Sequence, residues 1–488
     1  MLDESGVTRW ESPISRLGAG DLTARLDAQP VGASTSYSGL LPQPDRYGLL
    51  TDLYQLTMTA CYCGEGLDQR TASFELFTRR LPENYGYTIA MGLAQAVDYL
   101  RNLRFTAADR EWLKSTGIFN HAPDRFWSLL APLAEGETLF NGTLWAVPEG
   151  TVVFPHEPIL RIEAPLWQAQ LVETYLLNTL NYQTLIATRA ARLRSVVGPE
   201  VQLLEFGTRR AFSPQASLWA ARAALAAGFS ATSNVLAAQQ LGQRPSGTMA
   251  HALVMALAAL AGDEDQAFQS FHRYFPGAAL LIDTFDPAAA IDRLAQQVQA
   301  GASIPAVRLD SGDLVGLSQK VRACLPGTKV LASGDLDEAE ILALQKAGAA
   351  LDGYGIGTKL VTGAPINGIY KLVEIDSIPV MKESSGKATY PGRKQIYRRY
   401  DSAGMLQRDR LGLMDETPEP GEIPLLEKVI EDGKCLKLPE SIETIAPRVA
   451  QNVAHLPSTL RQVHQPAPPP VELSQALITL IEKTRRSL

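Results

Sequence analysis

Several short segments place reactive or anion-binding side chains directly after apolar runs. His251 ends the run GTMAH at 247–251 and opens the apolar stretch ALVMALAALA. Imidazole beside the backbone donors of a Gly-Thr turn can act as acid, base or nucleophile toward a bound anion. It can equally be a satisfied core or cap residue, and the small apolar residues after it predict a buried helix. Arg308 lies inside VRLDSGDL. A guanidinium on an apolar strand is costly unless paired, so it is either half of a buried ion pair or a planar fork for a carboxylate or phosphate. Arg209 and Arg210 in FGTRR raise the same question.

SGD occurs at 311–313 and again at 333–335. An Asp in that position is often only a helix cap. With Asp310 and Asp335, however, the pattern offers several carboxylates near one another, a set that suits Mg²⁺ completed by phosphate oxygens. GYGIGTKL, from Gly353, lacks the spacing of a Walker loop. Its glycines predict a turn with exposed N–H groups, which is either a phosphate cradle or a plain strand-to-helix turn.

These segments recur within one regular pattern. Apolar runs starting at Val201, Gly228, Ala278, Ala306, Lys329 and Leu351 each lead through a polar or Gly-bearing turn into a helical stretch. Such alternation predicts a (β/α) barrel with its chemistry at the strand C-termini, or an open doubly wound sheet. The barrel is favoured because polar chemistry sits at successive strand ends rather than at one switch point. Upstream, Thr51 or Asp52 is a helix cap candidate before LYQLTMTACYC, and ASFELFTRRLP reads as a strand. Helices follow at 91–100 and 107–114, then short strands from Gly142. A long helical pattern from Leu166 has a possible break near Asn181. From Tyr370 the pattern returns to hairpins, a Pro-rich linker begins at Gln465, and an amphipathic helix ends the sequence.

The expected organisation is a weakly patterned extension at 1–46, an α+β region at 47–185, the barrel at 186–372, a β-rich region at 373–464 packing on the α+β region, and a linker with terminal helix at 465–488. The 488 residues carry a formal net charge of −7, which argues against a nucleic-acid partner. Four cysteines without a histidine cluster point to reduced thiols rather than zinc. Residues 1–20 carry Asp3, Glu4 and Glu11 and no apolar core, and no apolar run is long enough to span a bilayer. A soluble, cytoplasmic protein is expected.

Taken together, the motifs LLTDLYQLTM at Leu49, EFGTRRAFSP at Glu205, SN at Ser233, GTMAH at Gly247, VRLDSGDL at Val307, GIGTKLVTG at Gly355, YKLVE at Tyr370 and PGRK at Pro391 closely resemble the nicotinate phosphoribosyltransferase family, in order, over roughly residues 48–400. The resemblance implies an irregular (β/α) barrel of the type II phosphoribosyltransferase kind, with an α+β domain built from the N-terminal segment and the region after the barrel. It implies transfer of phosphoribosyl from 5-phosphoribosyl-1-pyrophosphate to nicotinate, giving nicotinate mononucleotide and pyrophosphate for NAD salvage, with Mg²⁺ and with ATP hydrolysed through a phosphohistidine. By the same matching His251 is the phosphorylated residue and Asp310 a second catalytic group. Phe206, Thr248 and Arg308 resemble nicotinate-binding positions, joined by Tyr54 from the partner of a homodimer. Arg209, Gly334, Gly355, Gly357 and Thr358 resemble phosphoribosyl- or phosphate-binding positions, and Asp310 and Asp335 metal ligands. The alternatives are a nicotinamide or quinolinate phosphoribosyltransferase, which would need no carboxylate fork or a more basic pocket respectively, and a catalytically silent nucleotide-binding barrel.

Overall fold

A computed structural model describes residues 44–134, 136–384 and 389–487; the expected extension at 1–46 therefore lies almost wholly outside the described residues. Two sheets organise the chain. The first is antiparallel, with strand order Ile378–Pro379, Gly368–Ile375, Thr71–Thr78, Leu160–Pro165, Thr143–Ala146, Glu427–Glu431, Lys434–Cys435. Thr71–Thr78 thus has an early strand on one side and a late one on the other. The strand Gly368–Ile375 straddles residue 372, and the helix Glu173–Val197 straddles residue 185. A smaller sheet, Glu422–Pro424, Lys394–Tyr400, Leu406–Leu413, Val471–Leu473, is tied to the first by a buried cluster. In it the Glu75 carboxylate accepts the Lys394 backbone N–H at 2.8 Å and pairs with the Lys394 ammonium at 2.8 Å. Burial pushes the Lys394 pKa down while Glu75 opposes it.

The other main sheet is parallel throughout. Its order is Ala231–Thr232, Gln202–Glu205, Gly353–Ile356, Lys329–Gly334, Ala306–Leu309, Leu280–Leu281. In chain order this reads 2-1-6-5-4-3, the cyclic sequence of a barrel opened at one seam. Leu204, Ala279 and Leu331 form one apolar cluster with Phe206, Ala231 and Ala306. Residues of four of these strands, with Ala279 just before a fifth, therefore meet in a single interior that includes both edges of the sheet, as a curved barrel requires and a flat sheet does not. The seam between Thr232 and Leu280 is crossed by a non-strand segment: Ser246 N–H donates to the Thr232 carbonyl at 2.9 Å, and Arg308 reaches Thr248 and Met249. Among the described residues no helix is long and apolar enough to cross a membrane, and Cys61, Cys63, Cys324 and Cys435 are free thiols.

Three local expectations are corrected. The long helical pattern breaks at Val172, between Leu166–Leu171 and Glu173–Val197, not near Asn181. Asn181 survives mid-helix because its carbonyl oxygen accepts the Gly368 N–H at 2.8 Å rather than competing for its own backbone. Asp52 occupies the N-cap of Leu53–Gly64 but makes no side-chain cap bond; its carboxylate takes the Thr174 hydroxyl at 2.8 Å. The helix His251–Ala261 is not buried. Only Val254 is fully enclosed, while Met255 is 55% and Leu260 88% exposed. The helix packs against Glu264–Tyr274, and most of its apolar surface is uncovered by the described residues.

Candidate active site

The parallel strands deliver their following residues to one rim. Arg308 projects from Ala306–Leu309 and is half-buried. Its Nη1 donates to Thr248 Oγ1 at 2.6 Å and its Nη2 to the Met249 carbonyl at 3.0 Å. Both acceptors are neutral, so these bonds position the guanidinium without cancelling its charge. Nε is buried and has no hydrogen-bond partner. The guanidinium carbon lies 6.0 Å from the centre of the Phe206 ring. Burial lowers the Arg308 pKa; Asp310 and Asp283 oppose that, and Arg209 adds to it. Among the described residues Arg308 forms no ion pair at hydrogen-bonding distance; its hydrogen-bond partners are the two neutral oxygens.

Phe206 is placed by backbone and by glycine. Its N–H donates to the Ile356 carbonyl at 2.8 Å. A Cβ on Gly355 would fall 2.4 Å from its ring, and one on Gly357 3.3 Å from its carbonyl oxygen. The ring therefore comes close to the strand at Gly355, where no side chain stands. Beneath it Glu205 is fully buried, and its carboxylate accepts the Gly207 N–H at 2.5 Å and the Thr232 hydroxyl at 2.5 Å. Burial raises the Glu205 pKa, while these two donors pull it back.

His251 is half-buried at the start of its helix, and its Nδ1 lies 3.0 Å from Thr284 Oγ1. When Nδ1–H donates to that hydroxyl, the Nε2 lone pair is left free. The adjoining Asp283 carboxylate accepts the Asp310 N–H at 2.8 Å and the Ser311 hydroxyl at 2.9 Å through one oxygen. Its other oxygen is buried without a partner. Asp310 in turn accepts the Ser333 hydroxyl at 2.5 Å. Gly334, with φ of +111°, lies where a Cβ would stand 2.8 Å from the Asp310 carbonyl oxygen. Chain segments that are distant in sequence are thus pinned to one another at the rim.

The structure thereby joins His251, Thr248, Arg308, Phe206, Asp310, Gly334, Gly355 and Gly357 into one contiguous set, with Thr358 next in the chain. It does not join the others directly. Arg209 and Asp335 are exposed. The SGD carboxylates differ: Asp313 caps Leu314–Cys324, whereas Asp337, not Asp335, caps Glu338–Lys346. Tyr54 is 46% exposed on Leu53–Gly64, and its hydroxyl faces Glu173 at 3.3 Å. Burial, with Glu173 and Asp52 nearby, pushes its pKa up to about 12. No group of three or more Asp, Glu, His or Cys side chains is assembled as a metal cage among the described residues.

Sequence reasoning passed over Glu205, Asp283 and Thr284. The signal for the first was an acid inside an apolar strand. For the other two it was the same strand-then-polar pattern, in ALLIDTFD, that marked Arg308 and Asp310.

Family models agree along the chain. The nicotinate phosphoribosyltransferase N-terminal domain matches residues 49–181, the nicotinate phosphoribosyltransferase family model residues 201–385, and its C-terminal domain residues 422–481. The nicotinate phosphoribosyltransferase of Bacillus subtilis (strain 168) is 39% identical over 426 residues, covering 84% of this chain and 82% of that protein. The pncB2 nicotinate phosphoribosyltransferase of Mycobacterium tuberculosis (strain H37Rv) is 38% identical over 452 residues, covering 90% and 94%. The crystal structure of human nicotinic acid phosphoribosyltransferase superposes with a TM-score of 0.74 at 28% identity, covering 89% of this chain and 99% of that one. The rim described above therefore lies in the region matched by the family's core model, and the chain belongs to the nicotinate phosphoribosyltransferase family.

Proposed function

We propose that the protein transfers the phosphoribosyl group of 5-phosphoribosyl-1-pyrophosphate to nicotinate, forming nicotinate mononucleotide and pyrophosphate, with ATP hydrolysed through a phosphate carried on His251. The observation that carries this reading is the Arg308 fork: a half-buried guanidinium with neutral hydrogen-bond partners and a spare, buried Nε beside an aromatic ring. An aromatic carboxylate satisfies both groups at once, with its carboxylate on the cation and its ring along Phe206. A neutral amide would make no ion pair with the guanidinium, which disfavours the nicotinamide alternative. A catalytically silent barrel would have no use for the fork together with an imidazole whose Nε2 is free.

In this reading Arg308 and Thr248 hold the carboxylate while Phe206 orients the ring nitrogen toward the sugar. Tyr54 covers the opposite ring face from the other protomer of a homodimer, and the exposed apolar surfaces of Leu50 and Leu53 beside it support such an interface. Past the strand end, the Gly357 and Thr358 N–H groups and the Thr358 hydroxyl hold phosphate, with Gly355, Gly334 and Arg209 contributing at the same rim. Thr284 keeps the His251 tautomer whose Nε2 attacks the γ-phosphorus of ATP, displacing ADP. Asp310, set by Asp283 and Ser333, presents its carboxylate to the reacting centre. Mg²⁺ takes a few carboxylates completed by substrate phosphate oxygens: Asp310 would hold it from the rim, with Asp335 reaching it from the exposed side, and the unpartnered Asp283 oxygen lies beside Asp310. When bound, it supplies positive charge that stabilises the departing pyrophosphate. The protein is proposed to work in the cytoplasm.

The test is direct. Purified protein is incubated with the phosphoribosyl donor and either nicotinate or nicotinamide, with and without ATP, and mononucleotide is quantified. Nicotinate mononucleotide formed faster with ATP is the expected result. Equal turnover of nicotinamide overturns the assignment of Arg308, and no ATP effect overturns the phosphohistidine.

A further inference from the structure

The phosphate loop at 355–358 runs straight into a single helical turn, Thr358–Val361. So short a turn has little stability of its own, because nucleation costs more than its few hydrogen bonds return. Its carbonyls show what holds it. Gly357 and Thr358 carbonyls accept N–H groups within the turn. The next four are taken by side chains from one face of the long helix Glu173–Val197. Tyr182 Oη donates to the Val361 carbonyl at 3.2 Å. Arg189 Nη1 donates to the Lys359 carbonyl at 3.1 Å, the Leu360 carbonyl at 3.3 Å and the Thr362 carbonyl. Arg189 Nε is fixed in turn by the Tyr85 hydroxyl at 3.2 Å.

The fit is mutual. Gly363 has φ of +114°, and a Cβ there would lie 2.5 Å from Arg189 Nη2. Any larger residue would evict the guanidinium or bend the chain. The cation also sits at the negative end of the turn's dipole, where it is favoured.

We propose that Arg189 and Tyr182 are positioning residues for the phosphoribosyl-donor site: they clamp the far end of the turn so that the Gly357 and Thr358 N–H groups, at its start, stay aimed at phosphate. Neither bonds Gly357 or Thr358 itself, but the first clamped carbonyl, that of Lys359, belongs to the very next residue, so the chain has no slack to absorb a displacement. The inference rests on the proposed function only in naming the phosphate as that of the donor.

The experiment measures the Kd of 5-phosphoribosyl-1-pyrophosphate by calorimetry and, separately, KM for the donor and for nicotinate, in Arg189→Gln, Arg189→Lys, Tyr182→Phe and Gly363→Ala. Loss of the charged donor is expected to weaken donor binding and raise donor KM about tenfold in Arg189→Gln, the effect of about one charged hydrogen bond. Nicotinate KM should move less than about twofold, a difference worth under about half a kcal/mol. Arg189→Lys should restore part of the loss, since an ammonium can still reach one or two of the carbonyls. Tyr182→Phe removes one neutral bond and should cost about threefold. It also serves as the gentle variant should Arg189→Gln unfold. Equal rises in both KM values, or unchanged donor Kd in a folded Arg189→Gln or Tyr182→Phe protein, would overturn the clamp. Donor binding is read without turnover, so absence of nicotinate mononucleotide synthesis in the unmodified protein sinks the proposed function and leaves the clamp decided by calorimetry.

Discussion

Arg308, one strand in from the edge Leu280–Leu281, donates from Nη1 to Thr248 Oγ1 at 2.6 Å, so one hydrogen bond both orients the cation and anchors the segment that crosses the open seam. Thr248→Val keeps the shape and removes the acceptor. Nicotinate KM is expected to rise about tenfold, as for loss of one charged hydrogen bond. Arg308→Ala should cost nicotinate about a hundredfold in kcat/KM, and nicotinamide far less. Steady-state kinetics with both substrates check this, and equal losses would show that Arg308 does not read the carboxylate.

Thr284 holds His251 by Nδ1 at 3.0 Å. Incubation with ATP should give an acid-labile, base-stable phosphate that disappears in His251→Ala. In Thr284→Val the imidazole keeps its nucleophile but loses the bond that selects its tautomer, so labelling should slow about tenfold rather than vanish. Rapid-quench labelling distinguishes the outcomes. Undiminished labelling in His251→Ala would remove the imidazole from the chemistry.

Gly355 lies under the Phe206 ring, 2.4 Å from it once a Cβ is built. Gly355→Ala must lift the ring or shift the strand. Overpacking of this kind costs about 1–3 kcal/mol, which thermal unfolding will register. Nicotinate KM should rise with it. A variant with normal stability and normal KM would mean that the ring has no fixed place.

Glu157 is fully buried beside Asp409 and Arg398. One oxygen accepts the Phe154 N–H at 2.8 Å and the other is buried without a partner. Burial first, and the neighbouring Asp409 second, push its pKa well above the ordinary 4.5. The folded state therefore holds a proton that the unfolded chain releases. That contribution is fully present below the unfolded pKa and is lost as pH rises through the folded one. Glu157→Gln carries a permanent donor, so its Tm relative to the unmodified protein should climb as pH is raised from 5 to 8. A difference independent of pH would show that Glu157 is not protonated in the fold.

The alternation of strand and helix was readable because each strand is a short apolar run and each helix has its own start signal, as Asn234, Asp286 and Asp313 cap theirs. The residues at the rim were readable where an unusual type interrupted that pattern, as with Arg308 and His251. Glu205 was not, because its purpose is to bond Gly207 and Thr232, and neither partner is marked in the sequence. Arg189 escaped for a similar reason. On a long helix with arginines at 189, 192 and 194, nothing local distinguishes the one whose guanidinium caps a distant turn. The exposed helix His251–Ala261 was misread because composition reports only that a face wants covering, not whether this chain covers it.

The placement of Thr71–Thr78 between Leu160–Pro165 and Gly368–Ile375 has a consequence for the chain as it is made. Its first neighbour emerges soon after it, but the second follows only when the whole cylinder has been translated. At about 5–20 residues per second that delay is on the order of tens of seconds. Through this interval the strand carries one bare edge, a template open to any other nascent chain nearby. Newly made protein should therefore be most prone to clump before the ribosome reaches residue 368, and a stalled or truncated transcript should aggregate where the finished product does not.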